Sequence, residues 1–180
     1  FTFRSSNLIL ILLVGVLSLN AQRPSKEELD LETLYIDATR SRLLGKEEEA
    51  IATFKKILEQ DDTNDVVYFE LAKIYLSTNA PNDALGAIKK AVALQPKNIW
   101  YQEELAAAYA ANDDFVAAGE VYKQLVAQRP GEQKFYYDLA FHYVKNNDIK
   151  DAIQVFDQHE KRFGVSEEVI GRKFNLYKTL

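Results

Sequence analysis

Cysteine is absent from this 180-residue sequence, and histidine occurs only twice. Without cysteine the chain has no disulfide, no thiolate nucleophile, no cysteine-ligated zinc and no lipid attached through cysteine. Neither His142 nor His159 lies in the serine or paired-histidine context that nucleophilic or zinc chemistry requires. We therefore expect no catalytic activity, no cofactor and no metal ion, and we interpret both histidines as packed side chains.

An excess of basic residues is also lacking. The chain has 22 Lys and Arg residues against 27 Asp and Glu residues, which gives a net charge of −5. No cluster of Lys and Arg forms the stripe that neutralisation of nucleic-acid phosphates requires, so we expect no nucleic-acid partner. The apolar content of 47% and the aromatic content of 12% are instead sufficient for a folded core.

Methionine is missing, so we expect the sequence to begin inside, or after processing of, a longer product. A long apolar run occurs only near the start, where Arg4 precedes residues 8–19 and Ala21 follows them. This order predicts a signal peptide at residues 1–21 that is cleaved after Ala21. As a helix the run would span about 18 Å, less than the roughly 30 Å of a hydrocarbon core.

The export signal predicts a periplasmic or cell-envelope location. Leu19 is bulkier than the residue preferred at that cleavage position, which keeps an uncleaved signal anchor open as an alternative. We expect membrane contact only in that case.

Proline and glycine are scarce, with four and seven residues, and no long stretch alternates apolar and polar residues as a strand would. Apolar residues recur at intervals of three and four, which predicts helices throughout. The sequence also repeats itself at one constant interval. Two independent series of alanines follow this interval, at Ala38, Ala72, Ala106 and Ala140, and at Ala50, Ala84, Ala118 and Ala152.

The repeat is interpreted as a pair of antiparallel helices that touch where both carry alanine, because small side chains permit close approach. Between the two helices we predict a turn at a residue that tolerates a left-handed backbone. These turn residues are Gly45, Asn79, Asp113 and Asn147. Pro96 and Pro130 are predicted to end the second helices of their repeats.

These residues resemble the tetratricopeptide-repeat (TPR) pattern, in which W-x2-L-G-x2-Y is followed by A-x3-F and then P within about 34 residues. The third repeat matches it through Leu105, Ala106, Tyr109, Ala118, Tyr122 and Pro130. The first repeat is looser, because Asp37, Ser41 and Asp62 replace the leucine, tyrosine and proline. Terminal repeats are often atypical in this way.

The resemblance implies an all-α fold, a right-handed superhelical solenoid of helical hairpins. Four full repeats are predicted at residues 31–64, 65–98, 99–132 and 133–166, after a linker and helix start at 22–30. Residues 167–180 are predicted to be a capping helix or the first half of a fifth repeat. Phe174, Leu176, Tyr177 and Leu180 spread apolar surface around this helix, so we expect the chain to continue.

In the TPR family the first helix of each repeat lines a concave groove that binds peptides. The resemblance therefore implies a groove here, and aromatic side chains are frequent at its positions, as they are at interfaces. The predicted groove residues are Tyr35, Phe69, Lys73, Trp100, Glu103, Glu104, Tyr137, Asp138 and Phe141. The alternative is that some of the aromatic residues pack between repeats.

Within this set, we predict that Trp100, Tyr137 and Phe141 form a central anchor. The acidic residues around it favour a protein or peptide partner whose apolar residues are flanked by Lys or Arg. The sequence thus predicts an exported interaction scaffold in a cell-envelope assembly. Two alternatives stay open: the amino-terminal scaffold of a larger enzyme or enzyme-accessory protein, and a structural protein that self-assembles through its last helix.

Overall fold

The structure is a computed structural model that describes residues 26–180, and the predicted signal peptide lies outside them. The described residues form nine helices and no strand. These are α1 (Lys26–Leu43), α2 (Glu47–Gln60), α3 (Asp65–Ser77), α4 (Pro81–Leu94), α5 (Ile99–Ala111), α6 (Phe115–Gln128), α7 (Gln133–Lys145), α8 (Ile149–Phe163) and α9 (Glu167–Tyr177).

The helices pack as a row of hairpins. Helix α1 packs on α2, α3 on α4, α5 on α6 and α7 on α8, and each second helix also contacts the first helix of the next hairpin. Helix α9 packs on α8. Contacts between neighbours in the chain are the pattern of a solenoid, in which each unit buries the apolar face of the one before it. The predicted all-α solenoid is confirmed.

Both alanine series lie at the contacts between helices. Ala38, Ala72 and Ala106 are fully buried and Ala140 nearly so, and the second series, from Ala50 onward, is fully buried. Larger side chains such as Phe54 and Ile88 are buried beside them. The predicted role of the alanines is therefore confirmed, because no larger side chain fits where two helix backbones come this close.

The four turns within the hairpins share one geometry. The backbone φ angle is 71° at Gly45, 57° at Asn79, 59° at Asp113 and 65° at Asn147, as predicted from residue type. One residue later the chain donates a hydrogen bond back into the first helix, as from the Ala80 N–H to the Tyr75 carbonyl over 2.8 Å. This bond satisfies a carbonyl that the helix end would otherwise leave without a partner.

The connections between hairpins end one helix and start the next. Helix α4 ends two residues before Pro96 and α6 two residues before Pro130, as predicted. The next helix often begins with a side-chain cap. The Asn64 side chain accepts a hydrogen bond from the Val67 N–H over 3.1 Å, and Asn98 accepts one from Trp100 over 3.1 Å. Such caps fix the position from which each first helix starts.

Both histidines are packed side chains, as predicted. The His159 Nε2 atom lies 3.2 Å from the Gln133 Oε1 atom, and its ring centroid lies 4.8 Å from that of Phe163. The His142 ring stacks on Tyr122 at a centroid distance of 5.3 Å. Each ring is therefore held in the core by aromatic neighbours.

Helix α9 is anchored along one face only. Val169 is fully buried, and Leu176 packs against the same core cluster. The expectation of exposed apolar surface holds for Phe174, Tyr177 and Leu180 but is wrong for Leu176, which faces the solenoid.

Candidate functional site

The predicted groove residues lie on α1, α3, α5 and α7, and we call the surface that they form the groove face. Ion pairs join successive first helices across it. The Arg42 Nε atom of α1 lies 3.2 Å from the Glu70 Oε2 atom of α3, and Lys134 of α7 pairs with Glu103 of α5. The register therefore places these helices side by side, as a groove requires.

Trp100 is the most exposed aromatic residue of the groove face, with 72% of its surface accessible. It borders a cavity of about 320 Å³ between the third and fourth hairpins, which we call the Trp100 cavity. Glu103, Lys134 and Phe135 also line it. A large exposed indole beside a cavity is typical of a contact surface and is not required by the packing of the repeats.

Tyr137 and Phe141 border a second cavity of about 240 Å³, which we call the Tyr137 cavity. It lies between the fourth hairpin and α9 and is also lined by Phe156 and Arg172. Phe141 is 52% exposed, whereas Tyr137 makes an edge contact with Phe156 at 5.9 Å between ring centroids. The Arg172 guanidinium carbon lies 5.1 Å from the centroid of the Tyr137 ring.

The three predicted anchor residues thus border two cavities. Tyr137 and Phe141 share one cavity, and Trp100 borders the other, on the opposite side of the fourth hairpin. A ligand that contacts all three must span this hairpin.

Tyr35 and Phe69 are half-buried and take part in packing. The Tyr35 ring lies 5.7 Å from that of Phe54, and the Phe69 ring lies 4.9 Å from that of Tyr101 in the next repeat. These two residues fit the alternative interpretation, in which an aromatic residue stabilises the contact between helices.

Lys134 joins two of the predicted acidic residues. Its Nζ atom forms an ion pair with Glu103 and lies 2.9 Å from the Asp138 Oδ2 atom. Burial opposes the charge of Lys134, but its hydrogen bonds to Glu103 and Asp138 outweigh burial and raise its pKa. A basic partner would therefore have to compete with Lys134 for these two carboxylates.

Glu104 is different. Among the described residues no Lys or Arg lies within ion-pair distance of it, and Lys73 pairs with Glu70 instead at 3.4 Å. Burial raises the pKa of Glu104; nearby Lys73 lowers it, whereas Glu70 and Glu103 raise it. Of the three predicted acids on the groove face, Glu104 is thus the one that has no ion pair with a described side chain.

The repeat register placed Arg42 and Lys134 at groove positions, but they were not among the predicted binding residues, and Arg172 was not predicted at all. Lys134 and Arg172 lie in the walls of the two cavities. A signal for Arg172 was present, because it follows Asp138 by one full repeat and so occupies the same position on its helix. The partners of Lys134 depend on distances between helices, which the sequence does not contain.

Within residues 26–180 no group of His, Asp and Glu is arranged to hold a metal ion. In the same range, none of the helices is long and apolar enough to cross a membrane.

The architecture and the groove face together define a helical-hairpin interaction scaffold. The sequence model described as "Tetratricopeptide repeat" matches residues 43–111 and 109–169, more than half of the chain. The chain therefore belongs to the TPR family. No curated protein matches the sequence at a significant level.

Solved TPR structures share the fold. The chain is 23% identical to a crystal structure of MamA, with a TM-score of 0.67 over 79% of this chain and 83% of that one. A TPR protein from Parabacteroides merdae is 20% identical, with a TM-score of 0.67 over 77% of this chain and 56% of that one. YrrB, described as a TPR protein with an unusual peptide-binding site, is 14% identical, with a TM-score of 0.65 over 81% and 75% of the chains. At these identities the similarity concerns the fold.

Proposed function

We propose that this protein is an exported, non-enzymatic TPR scaffold of a cell-envelope assembly, and that it binds a protein or peptide on its groove face. One observation carries the binding proposal: Trp100 and Phe141 are exposed beside two cavities on either side of the fourth hairpin. Exposed aromatic side chains beside cavities are where binding energy concentrates in interfaces. The unusual peptide-binding site of YrrB is a precedent for this use of the fold.

The partner that fits this face carries two apolar side chains, one for each cavity, on an extended or helical segment. A Lys or Arg that extends from the Trp100 contact toward α3 would meet Glu104, which lies near Lys73 and Glu70 and has no ion pair with a described side chain. The carboxylates bound to Lys134 are already paired, so they should affect selectivity and association rate more than affinity.

The experiment is affinity capture from cell envelopes with the chain from Gln22 onward, followed by mass spectrometry and titration of the captured partner. We expect Trp100→Ala and Phe141→Ala each to weaken binding by about 2 kcal/mol or more, because interface anchors carry most of the energy. Val116 is a matched control, since it is 57% exposed but lies on α6, a second helix. Normal binding by both groove variants, with loss in Val116→Ala, would assign the binding to the second helices instead.

A further inference from the structure

Helix α9 exposes an apolar stripe on a face that lies away from the groove cavities. Ile170, Phe174 and Tyr177 are 52%, 62% and 57% exposed. They recur at intervals of four and three residues and therefore form one face of the helix. Three exposed apolar residues in a row on one helix are more than a solvated helix face usually carries.

The repeat shows which surface this is. Ile170, Phe174 and Tyr177 stand one full repeat after Tyr136, Ala140 and Tyr143, which lie on the face of α7 that packs against α8. Thus α9 presents the face that, in the other repeats, receives the second helix of the hairpin. Among the described residues no helix covers it.

A second helix of the usual kind does not fit there at the usual distance. Residues 38, 72, 106 and 140 are alanines with at most 2% exposure, whereas the equivalent residue of α9 is Phe174. A phenylalanine ring keeps two helix backbones apart unless the facing helix has a notch for it. Gly171 of α9 leaves such room, because it has no side chain and nothing lies within 4 Å of the position that a Cβ atom would take.

The charged residues at the two ends of α9 are also placed so that two copies of the helix could pair. The first turn carries Glu167 and Glu168, and Lys178 directly follows the helix. Two pairs of residues have the same midpoint along the helix, between residues 172 and 173. One pair is Gly171 with Phe174, and the other is Glu167 with Lys178. In two antiparallel copies of α9 related by one two-fold axis at that point, each Phe174 faces the other Gly171, and each Glu167 faces the other Lys178.

We propose that α9 is a self-association surface through which two copies of this chain pair antiparallel, with Phe174 of each copy seated over Gly171 of the other. Such a two-fold contact uses the same surface on both copies. Ile170 and Tyr177 flank the central pair, and the charged ends fix the direction. The Tyr137 cavity uses Arg172 and Asn175 from another side of α9, so this proposal does not depend on the ligand of the groove.

The first test is sedimentation velocity over a range of concentrations, with the chain from Gln22 onward, which keeps all nine helices. A single helix pair is a small interface, so we expect a monomer–dimer equilibrium that shifts with concentration. Phe174→Glu should weaken dimerisation by about tenfold or more, whereas the control Val116→Glu, on exposed α6, should not. A chain that stays monomeric at its highest soluble concentration overturns the proposal.

The variant Gly171→Gln tests the contact without destabilising the fold, so a loss of dimerisation cannot be due to misfolding. Glutamine favours helix over glycine, and the site has room in the single chain, so this variant should unfold at a higher temperature. It should nevertheless lose dimerisation by filling the notch. Dimerisation that survives this change places the contact elsewhere and overturns the proposal.

The charged ends test the direction of pairing. Glu167→Lys and Lys178→Glu should each dimerise less than the parent chain, because each places like charges together at both ends of the contact. An equimolar mixture of the two variants restores opposite charges at both ends, so we expect heterodimers in the mixture. No gain on mixing excludes the antiparallel pairing.

Discussion

At the scale of residues, the two histidines are the groups whose charge changes closest to neutral pH. Both lie in the core, and burial lowers the pKa of each, while nearby carboxylates oppose this shift more weakly. For His142 the opposing carboxylate is Asp138, and for His159 the opposing carboxylates are Glu160 and Glu168. The folded chain therefore prefers both rings neutral.

We expect the free energy of unfolding to be lower near pH 5 than near pH 7. Because the folded-state pKa of each histidine is lowered, the unfolded chain binds more protons in this range. The contribution of the histidines to the free energy of unfolding is then fully present above pH 6.5, the pKa of histidine in the unfolded chain. It is lost as the pH falls through the lower pKa of the folded chain. Urea unfolding followed by circular dichroism at a series of pH values measures this.

The matched variant is His142→Phe, which keeps a ring stacked on Tyr122 but removes one titrating group. Its stability should depend less on pH than that of the parent chain, with the remaining dependence due to His159. A parent chain that is equally stable throughout this pH range would show that neither histidine changes protonation with unfolding.

The groove face shows what residue types alone predict and what they do not. The exposure of Trp100 followed from its place in the repeat, because it is the second residue of the repeat 99–132 and the TPR resemblance places that residue on the groove face. The packing of Tyr35 and Phe69 could not be predicted in this way. Each is the fifth residue of its repeat, and its ring packs inward because a ring of a neighbouring helix lies within reach. The pairing of Lys134 with Glu103 likewise depends on the spacing of two helices, which the sequence does not specify.

At the scale of helices and turns, the fold could be predicted in detail because its determinants are local and repeated. Alanine at a helix contact and a residue tolerant of positive φ at a turn each have one physical reason, and both recur in every repeat. Helix α9 departs from this pattern at Phe174. The sequence showed the departure, but which face of the helix packs on the solenoid depends on contacts with α8.

Ala106→Leu tests the close contact of α5 and α6. Ala106 is fully buried, so a larger side chain forces the two helices apart and should cost about 1 to 3 kcal/mol of unfolding free energy. Helical content should remain, while cooperativity falls. Chemical unfolding measures the change, and Ala107→Leu on the exposed side of the same helix is the control. Equal stability of the two variants would mean that the register of the third repeat is wrong.

At the scale of the whole molecule, the export proposal concerns a segment outside the described residues. We expect the mature chain to begin at Gln22, which amino-terminal sequencing of protein from the exported fraction determines. Leu12→Arg should block export, because charge is costly in the apolar part of a signal. A mature chain that still carries residues 8–19 would indicate a signal anchor.

The row of hairpins has a mechanical consequence. The helices pack mainly on their neighbours in the chain. A bending force is therefore distributed over a series of small interfaces between helices, and each interface changes its geometry only slightly. The molecule is then a spring whose compliance grows with the number of repeats. The Trp100 and Tyr137 cavities lie at consecutive interfaces of this spring, on either side of the fourth hairpin. Their separation should therefore adjust as the spring flexes, so that ligands with differently spaced apolar side chains fit the same two cavities.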